Sequence, residues 1–220
     1  MCALFGCDLE EVTQNNIQTI QRIALESQVR GKHATGISYI GKNGLETITE
    51  PVCAQEFLNL YDLNDCVSDD CLTLIGHCRY STSDIRYNQP LTNGSLAIAH
   101  NGVIEQSPPE TWIKFGYQLK TTNDSELVLR AIENKEQPLK KFTDASMAVL
   151  ELRETGSMRY YRNGKRPLWK SEVKNGFFLT STKDIALRAG LKNPIRCLPG
   201  FLYQGKAATK LVEVEDLISV

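Results

Sequence analysis

Short apolar runs and amphipathic stretches alternate along the first half of the chain. Apolar side chains recur from Ile17 to Leu25 at the spacing of one helix face, and Thr13 is placed to cap the helix start. Asn43-Gly44 supplies the positive φ angles of a tight hairpin turn. The pattern predicts a strand at 3–5, a helix at 8–29, strands at 37–40 and 45–49, a short helix at 56–64, and buried strands at 71–79 and 95–99, the last two joined by an irregular loop at 80–92.

The second half contains one more long helix and then a series of short strands. Asp124, Ser125 and Glu126 are typical of a helix start, so a helix is predicted at 125–134. Strands are predicted at 147–152, 158–162, 177–181 and 201–204, with a short helix at 183–189. No repeat or linker interrupts the pattern. The sequence therefore predicts one domain over residues 1–220, an α+β fold with strands gathered into two packed sheets and helices outside.

Composition and charge exclude several classes of protein. Of the 220 residues, 41% are hydrophobic and 23% are charged, and the formal net charge is -1. Because binding to a phosphate backbone needs clustered lysine and arginine, nucleic acid is not expected as a partner. No apolar stretch reaches the roughly 18 residues that span a bilayer, and no secretory pattern opens the chain. We therefore expect no membrane partner and predict a cytoplasmic protein.

The cysteines do not form a regular framework. They are Cys2, Cys7, Cys53, Cys66, Cys71, Cys78 and Cys197. An odd number, in a chain large enough to bury a core, indicates reduced thiols. A zinc site built from Cys66, Cys71, His77 and Cys78 is conceivable, but there is no C-x-x-C pair, and adjacent residues of a strand point to opposite faces. We therefore expect neither a metal nor a cofactor.

Cys2 has an unusual position, because removal of Met1 would make it the N-terminal residue. Its α-amine, with a reference pKa of about 7.7 to 8.0, would then lie beside a thiol with a reference pKa of about 8.5. The amine can accept the thiol proton directly or through one water, so one residue would hold nucleophile and base. While Met1 is attached, this nitrogen is an amide and cannot act as a base. The alternative is an incidental cysteine at a frayed end.

Three polar clusters follow apolar segments: residues 79–82, 100–102 and 123–126. The Arg79 guanidinium matches a carboxylate, and the Asp124 carboxylate matches an ammonium group. The Asn101 side chain beside the Gly102 N–H can stabilise an oxyanion. Together these groups fit an α-amino acid held at both charged ends. Taken singly, Arg79 would be a surface ion pair, Asn101-Gly102 a turn and Asp124 a helix cap.

The clusters and several shorter motifs give the chain a resemblance to a known family. The motifs are, in order, Cys2 with Phe5-Gly6, Arg30-Gly31 with Ala34-Thr35-Gly36, Gly76-His77-Cys78-Arg79-Tyr80-Ser81-Thr82, Asn88-Gln89-Pro90, His100-Asn101-Gly102, Asn123-Asp124-Ser125-Glu126, and Arg162-Asn163-Gly164 with Arg166-Pro167-Leu168. In this order they resemble the glutaminase domain of class II glutamine amidotransferases, which are N-terminal nucleophile hydrolases. The resemblance covers most of the chain. It implies a four-layer αββα sandwich of two packed antiparallel sheets.

The resemblance also implies an activity, in which Cys2 attacks the side-chain amide of glutamine, ammonia leaves, and water releases glutamate from a thioester. The implied site residues are Cys2, Asn101 and Gly102 for catalysis, Arg79, Tyr80, Thr82 and Asp124 for substrate binding, and Arg30 and Gly31 for support. In this interpretation Arg30 supports the nucleophile's strand or the loop over it, and Gly31 and Gly36 are loop hinges. His77 and His100 are interpreted as buried hydrogen-bonding residues rather than bases.

Two departures from the family pattern qualify the resemblance. Lys32-His33 stands where many members have Pro-Asp or Pro-His, so the loop that closes over glutamine is expected to differ. No ammonia-consuming domain follows within the 220 residues. Because ammonia is lost by diffusion, we expect a separate synthetase partner docked over the pocket. The alternatives are an amidase of the same fold that acts on another amide and a silent module that binds glutamine or scaffolds a synthetase.

Overall fold

A computed structural model describes residues 1–81, 87–205 and 207–212 of the chain. Within these residues, thirteen strands form two antiparallel sheets. The first sheet has the order β11-β9-β10-β1-β4-β2-β3, with β1 Ala3–Leu9, β2 Ala34–Gly41, β3 Gly44–Glu50, β4 Leu72–Arg79, β9 Trp169–Val173, β10 Gly176–Thr180 and β11 Ile195–Arg196. The second sheet has the order β13-β12-β8-β7-β6-β5, with β5 Leu91–Thr92, β6 Leu96–Val103, β7 Ser146–Arg153, β8 Met158–Arg162, β12 Phe201–Gln204 and β13 Ala207–Lys210.

The helices cover the outer faces of the two sheets. They are α1 Gln14–Ser27, α2 Ala54–Leu60, α3 Ser125–Glu133, α4 Pro138–Lys141 and α5 Lys183–Arg188, with 3-10 helices at Leu63–Cys66 and Pro109–Phe115. Helices α1, α2 and α5 pack on the first sheet, whereas α3 and α4 lie on the second. Within the described part of the chain, no helix combines the length and the apolar character needed to cross a membrane.

Apolar side chains fill three layers between these elements. Ile20 and Phe5 belong to the layer between α1 and the first sheet. Leu4 and Leu150 lie between the two sheets, and Leu127 lies between α3 and the second sheet. Successive residues of β1 therefore face opposite layers, as strand geometry requires. The predicted αββα sandwich of two packed antiparallel sheets is confirmed.

The first helix begins later in the chain than the sequence pattern predicted. The predicted cap is confirmed, because the Thr13 hydroxyl accepts a hydrogen bond from the Asn16 N–H, and the Asn16 side chain bonds back to the Thr13 N–H. The predicted start at position 8 is wrong, since Asp8 and Leu9 belong to β1. Both residues pair with β4 and β10, and these partners are distant in sequence.

A second correction concerns β6, which was predicted to end at Ala99. The strand continues to Val103, because β7 pairs with it as far as Val103 and Ser146. The alternative interpretation of Asn101-Gly102 as a turn is therefore wrong. The pattern also missed β9, β11 and β13, which are short strands at or near the sheet edges. Strands β9 and β13 form local hairpins with β10 and β12, whereas β11 pairs with the more distant β9. The predicted loop at 80–92 ends in the short strand β5, and its residues 82–86 lie outside the described ranges.

The fold brings the start of β1 and the end of β4 to one edge of the first sheet. The register places Ala3 opposite Cys78, so Cys2 lies beside the end of β4. Since Leu4 faces the other sheet, strand alternation turns Cys2 toward the same inner side. The end of β6 and the start of α3 lie across from this edge, where a cavity opens among the four elements.

Candidate active site

A cavity of about 400 Å³ lies at this edge of the sandwich. Its volume is within the usual range for sites that bind small molecules. Five of the predicted site residues line it: Cys2, Arg79, Tyr80, Gly102 and Asp124. Arg30 and Gly31 lie outside the lining, and so does Asn101, which is next to Gly102. The ninth predicted residue, Thr82, lies outside the described residues.

Cys2 is half-buried and immediately precedes the central strand β1. Its Sγ lies 3.8 Å from the carbonyl oxygen of Tyr80. The Arg30 Nε donates a hydrogen bond of 3.1 Å to the carbonyl oxygen of Cys2, while Met1 is exposed. The residue is therefore held through its backbone, and its thiol faces the cavity.

Arg30 lies in a cationic environment. Its guanidinium is partly buried, and burial, together with the positive charge of Arg166, lowers its pKa below the usual value. Arg166 in turn donates a hydrogen bond from Nε to the Ser146 hydroxyl. The Arg30 side chain contacts the backbone of Cys2 rather than the cavity, which is the geometry expected of a supporting residue.

Arg79 is the last residue of β4 and is only 7% exposed. The interpretation as a surface residue is therefore wrong. Its Nη1 donates hydrogen bonds to the Tyr87 carbonyl oxygen, at 2.8 Å, and to the Asn88 Oδ1, at 2.9 Å. The segment that follows the undescribed residues therefore fixes the direction in which this guanidinium points along the cavity wall.

Two segments, residues 31–33 and residues 79–81, pack and hydrogen-bond against each other beside Cys2. A Cβ at Gly31 would overlap the backbone of Arg79, so this position requires glycine for space rather than for an unusual φ. The His33 N–H donates to the Arg79 carbonyl oxygen at 3.0 Å, and the Ser81 N–H donates to the His33 Nδ1 at 2.9 Å. The His33 ring lies 4.9 Å from the ring of Tyr80, which is 51% exposed at the cavity. Lys32-His33, the departure from the family pattern, thus includes a residue of this contact.

Gly102 has a backbone conformation that other residues rarely adopt. Its φ is 153°, and a Cβ there would overlap the Ser146 carbonyl oxygen. Asn101 is buried, and its Nδ2 has no hydrogen-bond partner among the described residues. In the β6–β7 ladder, the His100 N–H points away from β7, because it bonds to a side chain on the other edge. Two residues on, the Gly102 N–H points to that same edge.

Asp124 precedes α3, but its carboxylate does not cap this helix. Its Oδ2 accepts hydrogen bonds from the backbone N–H groups of Ile104, at 2.6 Å, and Glu105, at 3.4 Å. The interpretation as a helix cap is therefore wrong. The carboxylate instead ties the start of α3 to the segment after β6 and lines the cavity.

The two histidines of the cavity wall differ in their hydrogen bonding. His100 Nδ1 lies 2.8 Å from the Ser125 Oγ, and its Nε2 lies 3.4 Å from the Ser146 carbonyl oxygen. Neither ring nitrogen of His77 has a hydrogen-bond partner among the described residues, so the expectation of a hydrogen-bonding His77 is wrong there. Burial lowers the pKa of both rings, that of His77 to about 3. Both imidazoles are therefore neutral near neutral pH.

The Arg162-Asn163-Gly164 motif braces the second sheet behind the cavity. The fully buried Arg162 donates hydrogen bonds to the carbonyl oxygens of Gly164, Arg166 and Cys197. The Asn163 side chain accepts a hydrogen bond from the Met147 N–H and donates one to Ala145. These contacts hold the start of β7, which is paired with the end of β6.

Several cavity residues were not assigned by sequence reasoning. Gln89 and Ser125 belong to recognised motifs, but no role was given to them. The wall formed by residues 105–112 was missed altogether, and Trp112 in it is buried, with its Nε1 donating to the Ser107 carbonyl oxygen. Only Pro108-Pro109, which favours a turn and a helix start, signalled this segment.

Known proteins resemble this chain in sequence and in fold. No protein-family model matches the chain. Amidophosphoribosyltransferase 3, chloroplastic, of Arabidopsis thaliana is 36% identical over 114 residues, which make up 48% of this chain and 21% of that protein. The alignment thus covers about a fifth of the curated relative.

Solved structures share the fold over nearly the whole chain. A glutamine phosphoribosylpyrophosphate amidotransferase from B. subtilis, in complex with ADP and GMP, matches with a TM-score of 0.75 and 21% identity over 95% of this chain and 49% of that one. A structure described as the allosteric regulatory enzyme of purine biosynthesis gives a TM-score of 0.73, also with 21% identity and coverages of 95% and 49%. A glutamine aminotransferase class-II domain protein from Silicibacter pomeroyi matches with a TM-score of 0.58 and 10% identity, over 96% of this chain and 100% of its own.

The chain spans about half the length of the first two structures. Its two packed antiparallel sheets have the fold of the phosphoribosylpyrophosphate amidotransferase structure, and about half of its sequence aligns with the Arabidopsis amidophosphoribosyltransferase. The resemblance of this chain to the glutaminase domain of class II glutamine amidotransferases is thereby confirmed.

Proposed function

We propose that residues 1–220 act as a single glutaminase domain that hydrolyses the side-chain amide of glutamine to glutamate and ammonia. The observation that carries the proposal is the convergence of the Cys2 thiol, the Arg79 guanidinium, Gly102 and the Asp124 carboxylate on one cavity of about 400 Å³. A nucleophile, a carboxylate-binding group and an ammonium-binding group in one cavity fit a free amino acid. A plain acyl amide would use neither charged side chain.

The charged groups of the cavity define the proposed binding mode. Arg79 binds the α-carboxylate of glutamine with a charge-assisted hydrogen bond, and Asp124 binds the α-ammonium. Tyr80 forms part of the wall, and Thr82 assists Arg79. Because both ends of the substrate's head group are held, its side chain extends toward Cys2. The buried position of Arg79 supports this role, since desolvation strengthens its interaction with an anion.

The proposed reaction begins after removal of Met1. The α-amine of Cys2 takes the thiol proton, and the thiolate attacks the amide carbon. The Gly102 N–H and the Asn101 Nδ2 stabilise the oxyanion, and each such donor lowers a barrier by about 3 to 4 kcal/mol. The protonated amine gives its proton to the leaving nitrogen, so ammonia departs and a γ-glutamyl thioester remains. Water, deprotonated by the same amine, then attacks the thioester carbon, which frees glutamate and the thiol.

The unpartnered Nδ2 of Asn101 supports its part in this scheme. A buried donor without a partner is costly, and a transition-state oxygen would satisfy it. Asn101 does not line the cavity itself, but it is adjacent to Gly102 near the end of β6. Arg30 supports the nucleophile by holding the Cys2 carbonyl oxygen, and Gly31 keeps the neighbouring backbone close.

We further propose that the ammonia passes to an acceptor held by a separate synthetase subunit docked over the cavity mouth. Because free ammonia is lost by diffusion, an acceptor close to the cavity would allow its productive use. We place the reaction in the cytoplasm. All seven cysteines are free thiols, which is typical of a reducing compartment.

The proposal is tested by labelling the Met1-processed protein with a diazoketone analogue of glutamine and locating the adduct by mass. We expect one adduct, on Cys2, together with ammonia release from glutamine by the unlabelled protein. The Cys2→Ser variant should lose both, whereas Cys53→Ser, which alters another half-buried thiol, should keep both. An adduct on a different cysteine, or no ammonia release from homogeneous processed protein, would refute the proposal.

A further inference from the structure

Gln89 lies between the first-sheet residues and the second-sheet residues that line the cavity. It is 6% exposed, lines the cavity, and precedes Pro90 and the short strand β5. A Cβ at Gly36 of β2 would overlap the Gln89 carbonyl oxygen, so the backbone of Gln89 also packs against the first sheet. Both its backbone and its side chain are therefore held in place.

The side-chain amide of Gln89 bonds to two elements of the site. Its Oε1 accepts a hydrogen bond of 2.6 Å from the His100 N–H of β6, and its Nε2 donates one of 2.9 Å to the Ser125 Oγ of α3. The Ser125 hydroxyl accepts from Gln89 and can still donate its own proton, and the neighbour placed to accept it is the His100 Nδ1, at 2.8 Å. His100 is therefore the neutral tautomer with its proton on Nε2, directed at the Ser146 carbonyl oxygen.

Beyond the end of β5, the Gln89 side-chain amide pairs with the edge of β6. Strand β5 pairs with β6 only at Leu91 with Ile98 and at Thr92 with Ala97. Nearer the cavity, the Gln89 side chain accepts the His100 N–H that a longer β5 would have paired. The Gly102 N–H follows next along this edge, so Gln89 fixes the edge that presents the proposed oxyanion donor.

The segment around Gln89 also reaches the groups proposed to hold the substrate's head. The Tyr87 carbonyl oxygen accepts hydrogen bonds from the Arg79 Nη1, at 2.8 Å, and from the Asn123 Nδ2, at 3.0 Å. The Asn123 Oδ1 accepts the Ser125 N–H at the start of α3. Residues 87–89 thus connect the end of β4, the end of β6 and the start of α3.

We propose that Gln89 is a positioning residue for the glutaminase reaction, an inference that rests on the proposed function. Its amide sets the distance between the β6 edge that carries Gly102 and the α3 start that carries Asp124. A substrate held at its ammonium by Asp124 then presents its amide oxygen at the Gly102 N–H. Gln89 does not touch the reacting atoms, and it acts through His100 and Ser125.

The test uses the Met1-processed full chain and compares Gln89→Met with Gln204→Met. Methionine keeps the shape of glutamine and removes both hydrogen bonds. Gln204 likewise accepts one side-chain hydrogen bond, from Arg159, and donates one, to Ser157, but it is exposed on β12. We expect Gln89→Met to lower kcat for glutamine by about 10- to 100-fold, since a misplaced donor is felt mainly in the transition state. Gln204→Met should leave kcat unchanged.

Two further readouts separate positioning from general damage to the fold. The rate at which iodoacetamide alkylates Cys2 should stay within about twofold of wild type in Gln89→Met, because Cys2 is held by β1 and Arg30. A Gln89→Glu carboxyl offers the lost acceptor and donor only while it is protonated. Burial raises the pKa of a carboxyl. The activity of Gln89→Glu relative to wild type should therefore rise as the pH falls from about 8 to about 6, while that of Gln89→Met stays flat.

The outcomes distinguish this inference from the proposed function. A wild-type chain that releases ammonia, with Gln89→Met as active as Gln204→Met, overturns the inference alone. Equal losses of kcat and of Cys2 alkylation in Gln89→Met, with a flat relative pH profile for Gln89→Glu, also overturn it, because they indicate a general structural role. A wild-type chain without ammonia release overturns the inference together with the function.

Discussion

The two sheets build their halves of the site by different means. On the first sheet, Cys2 immediately precedes β1 and Arg79 ends β4, and these two strands pair from Ala3 and Cys78 to Leu9 and Leu72. On the second sheet, Gly102 lies on an edge of β6 held by the side chain of Gln89, and the start of α3 is tied to the following segment by the Asp124 carboxylate. Strand pairing positions the backbone of both halves, but the second half also depends on buried side chains that bond to backbone N–H groups and on the unusual backbone conformation of Gly102.

This difference determines which substitutions separate stability from activity. Backbone pairing survives a change of side chain, so substitutions on the first sheet should alter chemistry or binding without displacing the strand. On the second sheet, the groups that shape the site also satisfy buried backbone donors, and leaving such a donor unpaired costs about 1 to 3 kcal/mol. Substitutions there should affect geometry and stability together.

The largest effect is expected for Gly102→Ala on the second sheet. The φ of 153° and the overlap of a Cβ with the Ser146 carbonyl oxygen would force β6 away from β7. We expect glutaminase activity to fall by about 10²- to 10³-fold, the loss typical of one oxyanion donor, with a lower midpoint in urea unfolding.

The matched control for this variant is Gly94→Ala. Gly94 has a φ of 98°, but a Cβ there would meet nothing within 4 Å. It should therefore show only the cost of backbone strain, about 1 to 2 kcal/mol, and normal activity. Full activity in Gly102→Ala would remove the contrast between the two sheets.

A smaller effect is expected for Arg79→Ala on the first sheet. Losing a charge-assisted contact of about 1.5 to 3 kcal/mol should raise KM for glutamine by about 10- to 150-fold. Steady-state kinetics across glutamine concentrations measure this change. Arg188→Ala is the control, since Arg188 is an exposed arginine 3.7 Å from Glu26. If KM barely moves in Arg79→Ala, glutamine is the wrong substrate.

The effect that is smallest near neutral pH concerns the pH dependence of stability and tests the buried His77 of the first sheet. Burial lowers the pKa of His77 to about 3 in the folded state, whereas an unfolded histidine titrates near 6.5. As the pH falls below about 6.5, the His77 imidazole binds a proton in the unfolded chain but stays neutral in the folded chain. The free energy of unfolding therefore decreases by up to about 1.4 kcal/mol per pH unit.

Urea unfolding of wild type and His77→Gln, between about pH 7 and pH 4, measures this contribution. We expect the stability of His77→Gln to fall less steeply with decreasing pH, because the variant lacks the titrating ring. Parallel pH profiles would show that His77 does not contribute in this way.

Local signals allowed much of the fold to be predicted, and nonlocal pairing explains the errors at the ends of β1 and β6. The Gly41-Lys42-Asn43-Gly44 turn predicted the β2–β3 hairpin correctly, but its two loop residues are Lys42 and Asn43, and of Asn43 and Gly44 only Gly44 has a positive φ. The Thr13 cap likewise set the start of α1. The extension of β6 through Gly102 depends instead on pairing with β7, more than forty positions away. The polar residues at the end of β6 are also typical of a turn.

The same distinction applies to the site. Residue types and motif order singled out Cys2, Arg79 and Asp124, which line one cavity in the fold. They could not reveal that the Asp124 carboxylate bonds to the Ile104 N–H, or that the wall at Trp112 closes one side, because both depend on how irregular segments fold back. The roles of the individual site residues stay predictions until the variants are measured.

The contact between residues 31–33 and 79–81 has a consequence for sequence variation among relatives. Gly31 packs on the backbone of Arg79, and His33 bonds to Arg79 and to Ser81, which is 48 positions away in sequence. A substitution at position 33 changes the support of Tyr80, whose carbonyl oxygen faces the Cys2 sulfur. Substitutions in the two segments should therefore be correlated among relatives. A homologue with a different residue at position 33 should carry compensating changes near position 80.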